Sequence, residues 1–437
     1  MVEQWGLLGP ETISFPRRTR SLGLAASVRR FNDLAVPGLG SVWFGKQIFL
    51  ALLGVAVAEY VRARGKDFQN LQVANAVEAL ACWLAYRENN WASDPRLRGI
   101  TKLKEVNELD KFTFQQARQR RFYVTQPMRM ATVQALPALG LVEADNTRFN
   151  SFRCSDAGRE LIDAVTQKAA LSTVRREHSL WAEDNSIVQL LVSWVLRTGG
   201  ITRRAPSLLS VLSPLSPLPE AARDILRHRL LYGGRGAERR RAAWSWISSL
   251  EGRAKASWKS KPQQILSDHW HDLQAGAYFF ALYDAAITVL DAMESCMGAR
   301  TELSLSLSEA LPCDLEPLRQ AAQQYLAIEK YGDATDDDAS AFARACLGRK
   351  NDIVRMLVQR DGQVLQLRGE RIVPGPAFRG TPQRQGHNAD EDDAPRSGAV
   401  LLPPHISFRI HNLWLLYHDL KGDLEGLVLP KRAEGKA

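Results

Sequence analysis

The sequence predicts a mainly α-helical protein of several domains, with a small embedded β element and a short C-terminal β-hairpin. Apolar residues recur at helical spacing over most of the chain, and only a few short stretches alternate with a period of two. The length of 437 residues exceeds what one ordinary core needs. With 45% hydrophobic and 24% charged residues, the composition excludes a mostly disordered, collagen-like or disulfide-scaffold protein.

We predict four consecutive regions along the chain. They are an N-terminal helical domain with a basic arm (1–100), a winged-helix domain (101–170), a helical domain (171–330) and a C-terminal region (331–437). The last is expected to hold the hairpin, a disordered loop at 378–398 and a docking helix.

The first region should contain two helices that pack together after an arginine-rich arm. Apolar residues repeat at helical spacing from Gly45 to about Arg64 and again from Asn70 to Arg87. The apolar run from Ile48 to Ala58 is shorter than the roughly 20 residues that cross a bilayer. We therefore interpret it as a core helix and expect no membrane role.

The region from Lys102 to Thr166 has a different order of elements. Thr125-Gln126-Pro127 combines an N-cap residue with a proline in the first turn, which predicts a helix that continues to Leu136. Pro137 should disturb this helix and Gly140 should end it. Two strands, 141–144 and 148–154, then flank a polar turn, and 155–159 opens a further helix.

In this order the segment resembles the winged helix-turn-helix domains of the MarR and PadR types. Leu139-Gly140-Leu141-Val142 is similar to the entry into their wing, and Gly158-Arg159 is similar to the exit into the next helix. The resemblance covers about residues 102–166 and implies a recognition helix that enters the DNA major groove. Pro137 departs from the family pattern, which leaves open a shortened recognition helix or a wing that contacts only protein.

The resemblance implies a set of DNA contacts. The residues expected to face base edges are Gln126, Arg129, Thr132 and Gln134. Those expected to contact phosphates or the neighbouring groove are Arg118, Arg120, Arg121 and Arg148.

A second basic concentration follows at 235–261, interleaved with tryptophans. Its members are Arg235, Arg239, Arg240, Arg241, Arg253, Lys255, Lys259 and Lys261, with Trp244, Trp246 and Trp258. Cations with interleaved aromatics suit a phosphate backbone and stacked bases, and Arg239, Arg240 and Arg241 are candidate DNA contacts. The favoured interpretation is an amphipathic helix with its indoles in the core and its arginines in solvent.

The rest of the chain predicts helices and one hairpin. Gly276 to Met297 is apolar all round and should be a central buried helix. Residues 363–368 and 371–373 predict the hairpin, and 406–420 predicts the docking helix.

The sequence shows no decisive catalytic signature. Ser267 to Asp272 packs two histidines and two acids together, but nothing fixes the further ligands a metal needs, so we interpret it as a helix start. The acid runs 336–338 and 390–393 are expected to be solvated. We predict no metal, no cofactor and no enzymatic activity.

The net charge indicates the kind of partner, and the number and spacing of the cysteines indicate the cellular compartment. A net charge of +9 favours polyanionic partners, and five scattered cysteines without a CxxC pair favour a reducing cytoplasm. We expect a non-catalytic DNA-binding accessory subunit of a bacterial nucleic-acid machine, such as an anti-phage defence or mobile-element complex. Duplex DNA and other protein subunits are the expected partners. Two alternatives are a protein–protein scaffold that uses the winged helix and a transcriptional regulator.

Overall fold

The structure, a computed structural model, confirms a mainly helical protein with small antiparallel sheets. It describes residues 20–106, 108, 111–166, 186–201, 205–250, 256–307, 309, 313–328, 336–381, 395 and 402–428. Most of the expected disordered loop at 378–398, with the acid run 390–393, and residues 1–19 of the basic arm therefore lie outside the described residues.

The first half of the chain contains short helices around two long ones. Its elements are α1 (Ala25–Ala35), α2 (Gly45–Ala63), α3 (Asn70–Glu88), α4 (Ile100–Leu103), α5 (Phe114–Ala117), α6 (Arg129–Thr132), α7 (Ala135–Ala138), β1 (Val142–Ala144), β2 (Phe152–Cys154), α8 (Asp156–Thr166), α9 (Ser186–Leu196) and α10 (Ala205–Leu212).

The second half is built around one helix of 32 residues. Its elements are α11 (Glu220–Tyr232), α12 (Ala237–Ser248), α13 (Ser267–Gly298), β3 (Leu305–Ser306), α14 (Glu316–Ala327), α15 (Asp337–Ala345), α16 (Lys350–Asp361), β4 (Leu365–Arg368), β5 (Arg371–Pro374), α17 (Phe408–Lys421) and α18 (Glu425–Val428).

The chain divides into two compact units instead of four consecutive domains. The smaller unit comprises the described residues up to Phe31 and those between Gln274 and Asp390. The larger unit comprises those from Asn32 to Leu273 and those after Glu391. The expected regions 1–100 and 101–170 thus belong mostly to one unit, because their helices share a core.

The larger unit is organised around α2 and α3. Ile48, Leu52 and Val55 of α2 are fully buried, which confirms the apolar run as a core helix. Gly54 allows a close approach, because a Cβ at that position would lie 2.4 Å from the Cα of Ala74 in α3. The short helices and the hairpin β1–β2 pack around this pair.

The smaller unit has an aromatic core on α13. The rings of Phe31 and Phe279 stack with centroids 5.0 Å apart, and Tyr325 packs edge-on 6.3 Å from Phe31. Helix α13 is long and apolar enough to cross a membrane, but 61% of its most apolar window is buried inside the protein. Such burial is typical of a core helix and confirms the central helix predicted from Gly276 to Met297.

The C-terminal hairpin is confirmed, and it gains a third strand. β4 and β5 pair antiparallel with Leu367 opposite Ile372, and the two-residue β3 adds to the other edge of β5. The prediction of a solvated acid run at 336–338 is wrong for Asp336. This side chain is 6% exposed, caps α15 by accepting the Ala339 N–H at 2.9 Å, and accepts the Ser27 hydroxyl.

Candidate nucleic-acid interface

The hairpin predicted at 141–154 is present, although it is short. β1 and β2 pair antiparallel with Val142 opposite Cys154, and a turn of 3-10 helix at 149–151 replaces the first half of the longer strand predicted there. Ser155 ends the hairpin, since its hydroxyl donates to the Gly140 carbonyl at 2.8 Å and accepts the Gly158 N–H at 3.1 Å. Helix α8 follows at once, as the sequence predicts.

The prediction of one continuous recognition helix is wrong. The segment forms two separate single turns, α6 and α7, and the first begins at Arg129 instead of next to Pro127. Pro137 carries no N–H, so it cannot donate the helical hydrogen bond to the Val133 carbonyl. The break therefore falls just where the helix would need that bond.

A buried carboxylate from another helix fixes the start of α6. Glu78 of α3 is 2% exposed and accepts the N–H groups of Met128 and Arg129, the latter at 3.0 Å. The hydroxyl of Tyr123 donates to the same carboxylate. Burial raises the pKa of Glu78, while these hydrogen bonds act in the opposite direction.

Two of the predicted base-reading residues are held inside the unit. The Arg129 guanidinium donates to the Asn75 side chain and lies 5.4 Å from the centroid of the Phe149 ring. Burial lowers its pKa. Thr132 is fully buried, and its hydroxyl donates to the Arg129 carbonyl at 2.8 Å. Neither side chain is placed to reach a base edge.

The two glutamines differ in their surroundings. The backbone carbonyl of Gln126 accepts from Arg98 at 2.9 Å, and its side chain is half-buried. Gln134 is exposed, but its side-chain oxygen accepts from Arg409 of α17 at 2.6 Å. Of the four residues predicted to face bases, only Gln134 is thus exposed, and it is already hydrogen-bonded.

The four arginines predicted to contact phosphates or the neighbouring groove lie near two further cations, Arg64 and Lys66. Three segments that are distant in sequence meet around Phe68, which lies in the turn between α2 and α3. We call this set the basic turn surface, and its members are Arg64, Lys66, Arg118, Arg120, Arg121 and Arg148.

Contacts of the turn bring the three segments together. The Arg118 guanidinium lies 5.2 Å from the centroid of the Phe68 ring, which also packs edge-on against Phe114 at 5.0 Å. On the other side, Asn150 donates to the Gln69 side chain at 3.3 Å and accepts the Leu71 N–H at 3.0 Å. The wing tip carrying Arg148 is thereby fixed beside the same turn.

The basic turn surface carries an uncompensated positive charge. Segments 64–69, 118–121 and 148–151 contain six basic residues and one acid, Asp67. Arg118 is half-buried and the other five cations are exposed, and no ion pair joins any of the six to a carboxylate within the described residues. The nearby wing acid Asp145 is instead engaged by Arg153 through two hydrogen bonds of 2.9 Å.

Arg64 and Lys66 are not among the residues predicted from the sequence. Both flank Gly65 directly after a buried helix, so the Arg-Gly-Lys step was a visible sign of an exposed basic turn. Nothing in the sequence placed that turn beside Arg118 and Arg148, because the contacts run through Phe68 and Asn150.

Two members of the second basic concentration, Arg239 and Arg240, have structural roles, while Arg253 and Lys255 lie outside the described residues. Arg240 is fully buried and donates to the carbonyls of Leu230 at 2.7 Å, Arg235 at 2.8 Å and Pro37 at 3.0 Å. Its burial lowers its pKa to about 10. It therefore satisfies the C-terminal carbonyls of α11 and cannot contact phosphate as predicted.

Its neighbours on α12 have separate partners. Arg239 forms ion pairs with Asp272 and, at 3.1 Å, with Asp268 of α13. Both acids of the 267–272 segment are therefore partners of Arg239. Arg241 is exposed and lies over the ring of Tyr232.

The tryptophans lie mainly in the core, as the favoured interpretation holds. Trp246 is 3% exposed and packs edge-on against Trp270, with centroids 6.0 Å apart. Trp258 also packs on Trp270 at 5.0 Å, and Trp244 packs on Tyr417 at 5.1 Å.

A charged cavity of about 460 Å³ adjoins the wing. Its lining includes Glu59, Arg62, Arg153 and Arg159. Glu59 accepts the Cys154 N–H at 2.8 Å and lies 3.9 Å from Arg159, while Arg62 donates to the Phe68 carbonyl at 3.0 Å. Glu59 and Arg159 therefore pair with each other, while Arg62 is held by the Phe68 carbonyl and Arg153 by Asp145.

A metal centre has no support among the residues that the structure describes, where no group of three or more potential ligands is found. His269 is fully buried, and its Nε2 lies 2.9 Å from the Ala35 carbonyl. Burial lowers the pKa of His269 to about 4, so the ring is neutral at physiological pH.

Comparison with protein-family models, with curated proteins and with solved structures finds no match for this chain.

Proposed function

We propose that this protein binds the phosphate backbone of duplex DNA through the basic turn surface, without reading base sequence. The observation that carries the proposal is that three separate segments meet at the turn of Phe68 and carry six basic side chains, none of which forms an ion pair with an acid among the described residues. Such a surface releases counterions on contact with a polyanion, which is the main source of sequence-independent affinity.

The same contacts argue against sequence-specific recognition by α6. Arg129 and Thr132 are held by Asn75, Phe149 and backbone groups, so they are not free for the hydrogen bonds that distinguish bases. We therefore favour an accessory DNA-binding subunit over a transcriptional regulator. Its place in a larger nucleic-acid machine, such as a defence complex, is part of the proposal. So is a cytoplasmic location, with which the five free cysteines agree.

The proposal is tested by titrating labelled random-sequence duplex with the purified protein at several salt concentrations. We expect a dissociation constant on the order of micromolar to ~100 micromolar at physiological salt, and a steep loss of affinity as salt increases. Two unrelated duplexes of equal length should bind alike. A flat or absent response would overturn the proposal, and a sharp preference for one palindromic site would favour the regulator.

A further inference from the structure

Tyr232, the last residue of α11, places a large ring in solvent. Its side chain is 60% exposed, which is the largest value among the large hydrophobic side chains that the structure describes. An exposed ring forgoes the roughly 25 cal/mol per Å² that burial of apolar surface would contribute. A ring left in water at a helix end is therefore available to another molecule.

The neighbours of Tyr232 are basic. The Arg241 guanidinium lies 5.4 Å from the ring centroid, and the His228 ring centroid lies 5.3 Å away at an interplanar angle of 37°. Arg241, His228 and the nearby Arg235 are all exposed. Two neighbouring acids are Asp224, which pairs with Arg227 at 2.8 Å, and the exposed Glu238.

The turn after Tyr232 is fixed in place. Gly234 adopts a φ of +62°, and a Cβ there would lie 2.2 Å from the Ala138 carbonyl oxygen, so the turn packs directly against α7. The buried Arg240 holds the same turn by donating to the Gly233 and Arg235 carbonyls. Tyr232 is thus presented from a rigid base, which reduces the entropy lost when a partner stacks on it.

We infer that Tyr232 and the Arg241 guanidinium over its ring form a stacking platform for an unpaired base of single-stranded DNA, with the exposed Arg235 beside a flanking phosphate. An exposed aromatic ring among cations has the chemistry that single-strand binding uses, because every base has a flat face and every linkage a negative charge. Paired bases inside a duplex cannot reach such a ring. The inference rests on the proposed DNA binding and adds a preference for unpaired segments, such as those at a fork or a frayed end.

The test compares single-stranded and duplex probes of one labelled 20-nucleotide sequence. The variant Tyr232→Ala should weaken single-strand binding by about fivefold or more, since a stacked base contributes about 1–3 kcal/mol. Duplex binding should change by less than twofold, and Tyr232→Phe should bind both probes like the wild type. Leu347→Ala, which removes another exposed apolar side chain (38% exposed), is the matched control and should change neither.

Equal weakening on both probes, or no change on the single strand, would overturn the stacking platform while leaving the proposed duplex binding intact. A wild-type protein that binds neither probe would overturn both. Tyr232→Ala could weaken single-strand binding while charge removal at the basic turn surface leaves duplex affinity unchanged. This result would support the stacking role of Tyr232 and contradict duplex binding by the basic turn surface.

Discussion

The buried side chain of Glu78 sets the residue at which α6, the first turn of the predicted recognition helix, begins. Its carboxylate comes from α3, accepts two backbone N–H groups of the 128–129 segment and accepts the Tyr123 hydroxyl. The helix therefore starts where Glu78 caps it, two residues after the Pro127 that the sequence indicated. No local pattern around 125–137 contains this information.

Replacing Glu78 by glutamine should destabilise the larger unit. One amide oxygen cannot accept all three donations, and the amide nitrogen would face other donors, so the free energy of unfolding should fall by about 1–3 kcal/mol. Urea denaturation measures this loss. Glu88→Gln, an exposed position on the same helix, should change it by less than about 0.5 kcal/mol. Equal stability of the two variants would contradict the capping role.

Lys46 predicts a pH dependence of stability. Its amine is 2% exposed, donates to the Val211 carbonyl and lies 5.3 Å from the Phe49 ring centroid. Burial lowers the pKa of Lys46 to about 7, and the opposing charge of Asp419 limits the shift. Above pH 7 the unfolded chain keeps a proton on this lysine until about pH 10.4, whereas the folded chain does not.

The free energy of unfolding should therefore rise with pH from about 7 to about 10 through Lys46, and this gain should be lost as pH falls to 7.

Asp419 acts in a different pH range. Burial raises the pKa of Asp419 to about 6, so its contribution to the free energy of unfolding is present below pH ~3.9 and is lost as pH rises through 6. We expect the difference in unfolding free energy between wild type and Lys46→Met to change with pH between 7 and 8.5. A constant difference would contradict the buried-amine account.

At the scale of elements, the two hairpins β1–β2 and β4–β5 were predictable from the sequence, whereas the two separate turns α6 and α7 were not. Strands β1, β2, β4 and β5 are flagged by local turn residues such as 145–147 and Gly369. The break between α6 and α7 depends on Pro137, which the sequence showed, and on Glu78, which it could not place. The sequence could not show that Arg240 is structural, because the carbonyls that bind it come from a helix end 10 residues away and from Pro37.

Arg129 separates the two interpretations of α6. If it is structural, Arg129→Ala should lower the free energy of unfolding by about 1–2 kcal/mol, because a partly buried hydrogen-bonded cation is lost. Duplex affinity and its dependence on base sequence should stay within twofold of wild type. Band-shift titrations on several duplexes measure both, and a selective loss on one sequence would instead indicate base readout.

At the scale of the whole molecule, the prediction of a helical fold held because helical periodicity is local. The division into two units was missed, since each unit combines segments from distant parts of the chain. The basic turn surface could not be predicted for the same reason, because its segments are distant in sequence. Its arginines were individually visible, but the pairing of Arg118 with Phe68 and of Asn150 with Gln69 is a product of tertiary packing.

This arrangement places part of the net positive charge on the basic turn surface. An excess of +9 spread over 437 residues favours no particular face. Arg240 is buried against backbone carbonyls, and Arg239 and Arg409 are paired with acids, so the structure already engages these three side chains. The cations of the basic turn surface form no ion pair among the described residues, and we propose that these side chains contact the DNA backbone.

The most direct test compares two triple variants of equal charge. Arg118→Gln, Arg121→Gln and Arg148→Gln together remove charge from the basic turn surface. Arg344→Gln, Arg349→Gln and Arg368→Gln remove the same charge from exposed positions of the smaller unit. Duplex affinity is measured for both across a salt series. We expect the first variant to lose roughly two to three units of slope of log affinity against log salt, and the second to lose little. Equal slopes for the two variants would contradict the assignment of DNA binding to this surface.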